Sequence, residues 1–311
     1  MNDLLKLLDC SKEEIVSILD LADQLKYEKK HHIPHRHLDG KSIGLIFQKV
    51  STRTRVSFEA GMYQLGGQPM FLSDRDLQIG RGEPVQDTAR ALSRYLDGIV
   101  IRTFEQADVE VFAKYSDIPV INGLTNFAHP CQVLADLMTV REHFAQLEDL
   151  KMCFIGDGFN MCNSLIVGGL KVGMEVSVAT PEGYEPHPDV LAFAEEQKKL
   201  GAKFTLTHDV CQAADGADVL FTDAWTAMGQ EDQAAMRRKI FQGFTVDHEL
   251  LSCCKQGVMV QHCMPAYRGE EITEAVLEEH ADEIFEECEN RLHAQKAVMV
   301  TLMSDKDEYV Y

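Results

Sequence analysis

The chain has 311 residues, 45% hydrophobic and 26% charged, which is the balance of a folded globular protein with length for two ordinary domains. Its formal net charge of -20 excludes nucleic acid or an anionic membrane surface as the main partner, because either demands a basic face. Nine cysteines without paired spacing read as reduced thiols, no apolar run is long enough for a bilayer, and residues 1–8 lack signal-peptide character, so a cytoplasmic protein is expected.

The first predicted element is a strand at Ser42–Phe47. It runs into Gln48-Lys49-Val50-Ser51-Thr52-Arg53-Thr54-Arg55, where three hydroxyls and two arginines interleave before a helix predicted at 58–65. Serine and threonine are ordinary helix caps, and hydroxyls alone would mean no more than that. Two arginines among them point to an anion held at a helix amino terminus. There unpaired N–H groups, the positive end of the dipole and bidentate guanidinium bonds converge. In so acidic a molecule, an anionic ligand binds only where such a cluster reverses the local field.

Strands at 69–72, Gly98–Arg102 and 119–122 alternate with a helix at 87–96. His129-Pro130-Cys131-Gln132 comes next, with Pro130 in the favoured first position of a helix at 130–143. His129 and Gln132 are candidate donors to a carbonyl oxygen that gains negative charge, set against the plainer reading of His129 as a cap. Further strands are predicted at 152–155, Glu175–Ala179, 203–206, Val219–Thr222 and 258–261, with helices at 164–172, 188–200 and 290–303. This alternation predicts an α/β fold of parallel sheets covered on both faces. The strands fall into two groups, so two doubly wound parallel-sheet domains are expected, residues 1–143 and 144–286, joined by the long helix from Pro130. Residues 287–311 would form a C-terminal helix that packs back on the first domain. Ligands in open α/β sheets sit beyond the carboxyl ends of the strands, which makes a cleft between the two domains the expected site.

Three more segments follow strands in the second half: Gly156-Asp157-Gly158 with Asn160, Asp223-Ala224-Trp225-Thr226-Ala227-Met228-Gly229, and His262-Cys263-Met264-Pro265-Ala266. The first lacks the third glycine of a dinucleotide loop. Asp223 and Cys263 suit a substrate amine, and Cys263 is also a candidate covalent nucleophile. Cys253-Cys254 and His262-Cys263 fit no usual zinc spacing, so no metal is expected. The Met264-Pro265 bond is open between cis and trans.

Together these segments resemble the ornithine carbamoyltransferases, a branch of the family shared with aspartate carbamoyltransferase. The resemblance rests on Ser-Thr-Arg-Thr-Arg at 51–55, Gln78-Ile79-Gly80, Asp87-Thr88-Ala89-Arg90 and Arg102-Thr103. It continues through the His129 motif, Asp157 with Asn160, the Asp223 and Cys263 motifs and Glu289-Asn290-Arg291-Leu292-His293. These occur in the family's order over nearly the whole chain.

The resemblance implies transfer of a carbamoyl group from carbamoyl phosphate to the side-chain amine of L-ornithine, giving L-citrulline and phosphate with no cofactor. Ser51, Thr52, Arg53 and Thr54 would hold the phosphate, Arg102 would bridge phosphate and carbonyl, and Arg291 would complete the anion site. His129 and Gln132 would orient the carbamoyl group, with Cys263 and Met264 facing the reacting centre. Asn160, Asp223, Ala227 and Met228 would take the amino-acid end. Of these, Arg102, His129, Asp223 and Cys263 would be the catalytic set. Gln78 resembles a residue that reaches a neighbouring subunit's site, which implies a homotrimer or a multiple of trimers. One departure stands out: Ala227 occupies a place that is usually serine. The missing hydroxyl is worth roughly 1.5–3 kcal/mol to a charged group, and it leaves another amine open as acceptor, such as putrescine or an acylated ornithine. A non-catalytic binding protein of the same fold is the rival from another class.

Overall fold

The computed structural model describes the chain apart from residues 74–76, 79–81, 228 and 305–311. The chain divides into two compact units, Met1–Ala135 with the residues from Asn290 onward, and Asp136–Glu289.

The first unit opens with α1 (Lys12–Lys30), started by a capping box in which Ser11 and Glu14 satisfy each other's backbone amides. Then come β1 (Ser42–Phe47), α2 (Thr52–Gln64), β2 (Gln68–Ser73), α3 (Val85–Leu92), β3 (Gly98–Arg102), α4 (Gln106–Tyr115) and β4 (Val120–Leu124). The strands form one parallel sheet in the order β2-β1-β3-β4. Every residue of β3 and β4 is buried, so both are mostly apolar without alternation, and their polar members Arg102 and Asn122 are buried as well. Leu4 adds a parallel bridge to Ile121 on the outer side of β4. Helix α5 (Pro130–Phe144) leaves this unit and enters the second.

The second unit holds β5 (Lys151–Ile155), α6 (Asn160–Lys171), β6 (Glu175–Ala179), α7 (Pro188–Lys199), β7 (Phe204–Thr207), α8 (Val210–Ala214) and β8 (Val219–Thr222). It continues with α9 (Ala234–Ile240), α10 (His248–Leu251), β9 (Met259–His262) and α11 (Glu274–Glu279). Its sheet is also parallel throughout, in the order β7-β6-β5-β8-β9. Helix α12 (Ala281–Met303) begins here, and its residues from Asn290 belong to the first unit. Two doubly wound parallel sheets joined by a long helix, with a C-terminal helix returning to the first, are therefore the architecture. Among the described residues no helix is long and apolar enough to cross a membrane.

Expectations change at α2, at the cysteines and at α12, which begins at Ala281 and not near 287–290. The helix after the arginine motif begins at Thr52 and not near Phe58, because Ser51 caps it by accepting the Thr54 amide at 3.1 Å. Arg53 and Arg55 thus sit in its first turn. The thiols are not all reduced: Cys211 on α8 and Cys253 just after α10 form a disulfide, their Cα atoms 5.6 Å apart across 42 residues. Packing of the two helices brings them together, and no local spacing signals such a pair. The other seven cysteines form no disulfide.

Candidate active site

In the first unit the carboxyl ends of β1 and β3 lie side by side, and the pairing continues past the strands, with the Gln48 amide donating to the Arg102 carbonyl at 2.9 Å. This sets the arginine-bearing start of α2 against Arg102, which is 3% exposed. Arg102 Nη1 donates to Thr54 Oγ1 at 3.3 Å, and Arg291 Nη2 from α12 donates to the same hydroxyl at 3.0 Å. Arg291 Nη1 also donates to Gln132 Oε1, in the first turn of α5. Two buried guanidinium groups, one hydroxyl and one amide thus share a small volume at the amino ends of two helices.

His129, just before α5, belongs to the same group. Burial, and then the cations Arg291, Arg102, Arg53 and Lys49, hold its imidazole well below the usual histidine range. A neutral ring among four cations is a hydrogen-bonding group at physiological pH and does not add to the positive charge. Ser51 is the cap of α2, and Thr52 is exposed at its first position. Gln78 stands apart: it is exposed, and among the described residues its carbonyl accepts the Glu83 amide at 3.2 Å, outside this group. Its motif partners Ile79 and Gly80 lie outside the described residues.

Lys49 is a residue that motif reading passed over. It is 5% exposed, donates to Asn126 Oδ1 at 2.6 Å and lies 4.4 Å from the centre of the Phe104 ring. Its place in the strand-to-helix loop gave a positional hint, but nothing in the sequence said that it is buried.

In the second unit Asp223 follows β8 and Cys263 follows β9, and pairing of these strands makes the two residues neighbours. Cys263 Sγ donates to Asp223 Oδ1 at 3.1 Å, and the Ala224 amide donates to the same oxygen at 2.7 Å. Burial pushes the Cys263 thiol well above its ordinary value, and the carboxylates of Asp223 and Glu287 push it further. Burial also raises Asp223 above the usual carboxylate range, against the pull of His262 and the Cys263 bond. Cys263 is thus a thiol that donates, the opposite of the activated thiolate a nucleophile needs.

The loop after β9 is strapped by His262 and Glu271, both fully buried. His262 Nδ1 accepts the Met264 amide at 2.9 Å, Nε2 pairs with Glu271 Oε1 at 3.0 Å, and that oxygen also accepts the Tyr267 amide at 2.6 Å. The Met264-Pro265 bond within it is cis. Donor atoms of Asp223, His262 and Cys263 lie within 4.8 Å of one another, which is ligand spacing for a cation. Both His262 nitrogens already have partners, however, so a cation would have to displace the Met264 or the Glu271 bond.

Asn160 opens α6 and is 6% exposed, its Oδ1 accepting the Met161 amide at 2.8 Å. Nearby, Asp157 is held by Arg237, at 2.6 Å, and Arg237 also donates to the Trp225 carbonyl at 2.8 Å. Burial raises Asp157 to about 6 in spite of that pairing. Arg237 lies in α9, in no motif, and only the fold reveals that it ties the loop after β5 to the one after β8. In the Gly156-Asp157-Gly158 segment, a Cβ at Gly158 would overlap the backbone of Glu185, so this glycine serves close packing. Ala227 is partly buried and its carbonyl accepts the Gln230 amide at 3.0 Å. Met228 lies outside the described residues.

Residues 2–142 match the family model described as the aspartate/ornithine carbamoyltransferase carbamoyl-P binding domain, and residues 148–302 match its Asp/Orn binding domain. The chain is 52% identical over 302 residues to the ornithine carbamoyltransferase of Carboxydothermus hydrogenoformans, covering 97% of each chain. It is 51% identical to that of Thermococcus kodakarensis, covering 97% of this chain and 96% of the relative. Among solved structures, the ornithine carbamoyltransferase of Pyrococcus furiosus superposes with a TM-score of 0.93 at 48% identity, covering 97% of each chain. The anabolic enzyme of Campylobacter jejuni gives 0.91 at 41%, covering 97% of this chain and 99% of that one.

Proposed function

The chain belongs to the aspartate/ornithine carbamoyltransferase family, and we propose that it transfers the carbamoyl group of carbamoyl phosphate to the side-chain amine of L-ornithine, giving L-citrulline and phosphate. The observation that carries this reading is the convergence of Arg102 and Arg291 on Thr54, beside a neutral His129 and Gln132.

In this reading Ser51, Thr52, Arg53, Thr54 and the amino end of α2 seat the phosphate, with Arg291 completing the anion site. Arg102, His129 and Gln132 face the carbamoyl oxygen. The neutral amine attacks the carbonyl carbon, and the oxyanion that forms is met by Arg102, Thr54 and His129. Such donors are worth about 3–4 kcal/mol each in comparable sites. The carbon–oxygen bond to phosphate then breaks, the nitrogen passes its proton to the departing phosphate, and the leaving charge is met by Arg53 and the helix terminus. Asn160, Asp223, Ala227 and Met228 hold the amino-acid end, while Asp223 and the Cys263 thiol orient the amine. Family relatives with this acceptor in their names support ornithine. The missing hydroxyl at Ala227 is the one feature that favours a different amine.

The same proposal includes a cytoplasmic homotrimer in which Gln78 serves a neighbouring subunit. It is supported by exposed apolar side chains on and just before α2: Val50 at 86%, Val56 at 55% and Tyr63 at 77%. Assay of the purified chain with carbamoyl phosphate and a panel of amines tests the reaction. Equimolar citrulline and phosphate, fastest with L-ornithine, are expected. Faster turnover of putrescine or acylated ornithine overturns the acceptor, and no phosphate release with any amine overturns the enzyme.

A further inference from the structure

The turn that carries His129 runs from the end of β4 to the start of α5, and much of its shape depends on one hydroxyl. Thr125 is fully buried. Its Oγ1 accepts the backbone N–H of Ala128 at 3.1 Å and of Phe127 at 3.3 Å, and its own N–H donates to the Ala128 carbonyl at 2.9 Å. A hydroxyl has one hydrogen to give. Here it goes to Gln106 Oε1 at 2.7 Å, while the alternative acceptor, the Ala128 carbonyl, lies at 3.4 Å. Gln106 therefore draws the hydrogen out of the turn and leaves both lone pairs for the two amides next to His129.

Gln106 is itself held in place. It is the first residue of α4, and its Nε2 donates to the Leu5 carbonyl at 3.3 Å. Asn122 Nδ2 donates to that carbonyl at 2.8 Å and to Gln106 Oε1 at 3.3 Å. The amino-terminal residues Leu4 and Leu5, through the bridge to Ile121, thus form the back of a bracket whose front is Thr125.

We propose that Gln106 is a positioning residue for carbamoyl transfer, which acts through the Thr125 hydroxyl to fix the 125–128 turn and so the place of the His129 imidazole. The inference rests on the carbamoyl-transfer reading above. The turn is also anchored at Asn126, whose amide donates to the Phe104 carbonyl at 2.7 Å and whose side chain takes Lys49 at 2.6 Å. Those bonds survive the loss of Gln106. Without the glutamine the hydroxyl turns its hydrogen toward the Ala128 carbonyl, and the segment nearest His129 loosens while the loop stays attached.

Misplacement of a reacting group by about 1 Å costs as much as 100-fold in rate, and a loosened turn should cost roughly tenfold by the same reasoning. Gln106→Leu and Thr125→Val are accordingly expected to lower kcat about tenfold. KM for ornithine should stay within about twofold, as for a change remote from the amine, and Tm should fall by only a few degrees, as for the loss of one buried hydrogen bond. Thr125→Ser, which keeps the hydroxyl, should restore kcat. The double variant should be no slower than the worse single one, because both changes remove the same interaction. Amide exchange at 127–129 reads the coupling without turnover and should quicken in Gln106→Leu while Thr125→Ser keeps the wild-type rate. Wild-type kcat in Gln106→Leu, multiplicative losses in the double variant, or unaltered exchange would overturn the proposal. If Gln106→Leu does not fold, the Thr125 pair decides by the same measurements. An inactive wild type with normal coupling in exchange would sink the carbamoyl-transfer reading and leave the mechanical link standing.

Discussion

Thr54 receives two guanidinium groups on one oxygen, an arrangement that holds positive charge in place before any anion arrives. Arg53, one residue earlier and only partly buried, is the arginine of this group that can be removed with least damage to packing. A charge-assisted hydrogen bond is worth about 1.5–3 kcal/mol. Arg53→Ala is therefore expected to raise the KM for carbamoyl phosphate roughly 10- to 100-fold with Tm almost unchanged. Equal affinity by calorimetry would remove Arg53 from the phosphate site. Cys263 makes the complementary case. Burial and Asp223 push its thiol up and it donates to that carboxylate, which supports the proposed orienting role over nucleophilic attack. Cys263→Ser retains a donor to Asp223 and should keep at least about a tenth of kcat, as expected for loss of a modest hydrogen bond. Intact-mass analysis after mixing the wild type with carbamoyl phosphate should show no adduct, and a carbamoyl-thioester there would restore the nucleophile reading.

At the scale of elements, the contact of α2 with α12 brings Arg291 to Thr54, at the proposed anion site. Along the seam, Thr54 meets Arg291, Ser57 Oγ lies 2.6 Å from Gln295 Oε1, and Lys296 Nζ donates to Gln64 Oε1 at 3.3 Å. Gly61 lies between these pairs, and a Cβ there would meet Lys296 Cγ at 3.0 Å and Met299 Cε at 3.1 Å. Both are flexible side-chain atoms, so Gly61→Ala should be near neutral: the tight contact offsets a helix-propensity gain of about 1 kcal/mol. Gly61→Leu overfills the seam at a cost of about 1–3 kcal/mol and pushes α12 outward. It should lower Tm by several degrees and raise the KM for carbamoyl phosphate more than that for ornithine. An unchanged KM for carbamoyl phosphate would show that the seam does not set Arg291.

At the scale of the whole molecule, a buried ammonium carries a cost in stability. Lys296 is fully buried, and burial lowers its ammonium from 10.5 to about 8, with Lys29 adding to the effect. Between pH 8 and 10.5 the native state then binds fewer protons than the unfolded chain, so this group makes stability rise with pH across that window. At pH 7 the charged form costs about 3 kcal/mol by the same shift. Lys296→Met fills similar volume without the charge. It is expected to raise Tm at pH 7 and to abolish Lys296's share of the increase toward pH 10, measured by thermal melts at both pH values. A lower Tm at pH 7 would mean that the ammonium is better satisfied than its bond to Gln64 suggests.

The sequence by itself determined the kind of fold. Buried parallel strands must be short apolar runs, helices between them must show the longer period, and both patterns are local, as β3 and β5 illustrate. It also pointed to the residues proposed here to bind an anion, because arginines interleaved with hydroxyls at a helix amino terminus bring several anion donors together. It did not place the start of α2, whose first turn has no apolar stripe and is set by the Ser51 cap. Nor did it reveal the Cys211–Cys253 pair, the burial of Lys49, the tie from Asp157 through Arg237 to Trp225, or the bracket of Gln106 on Thr125. Only the tertiary structure decided those, since each joins residues far apart in the chain. A hydrogen bond between such residues leaves no period or spacing in the sequence from which to read it.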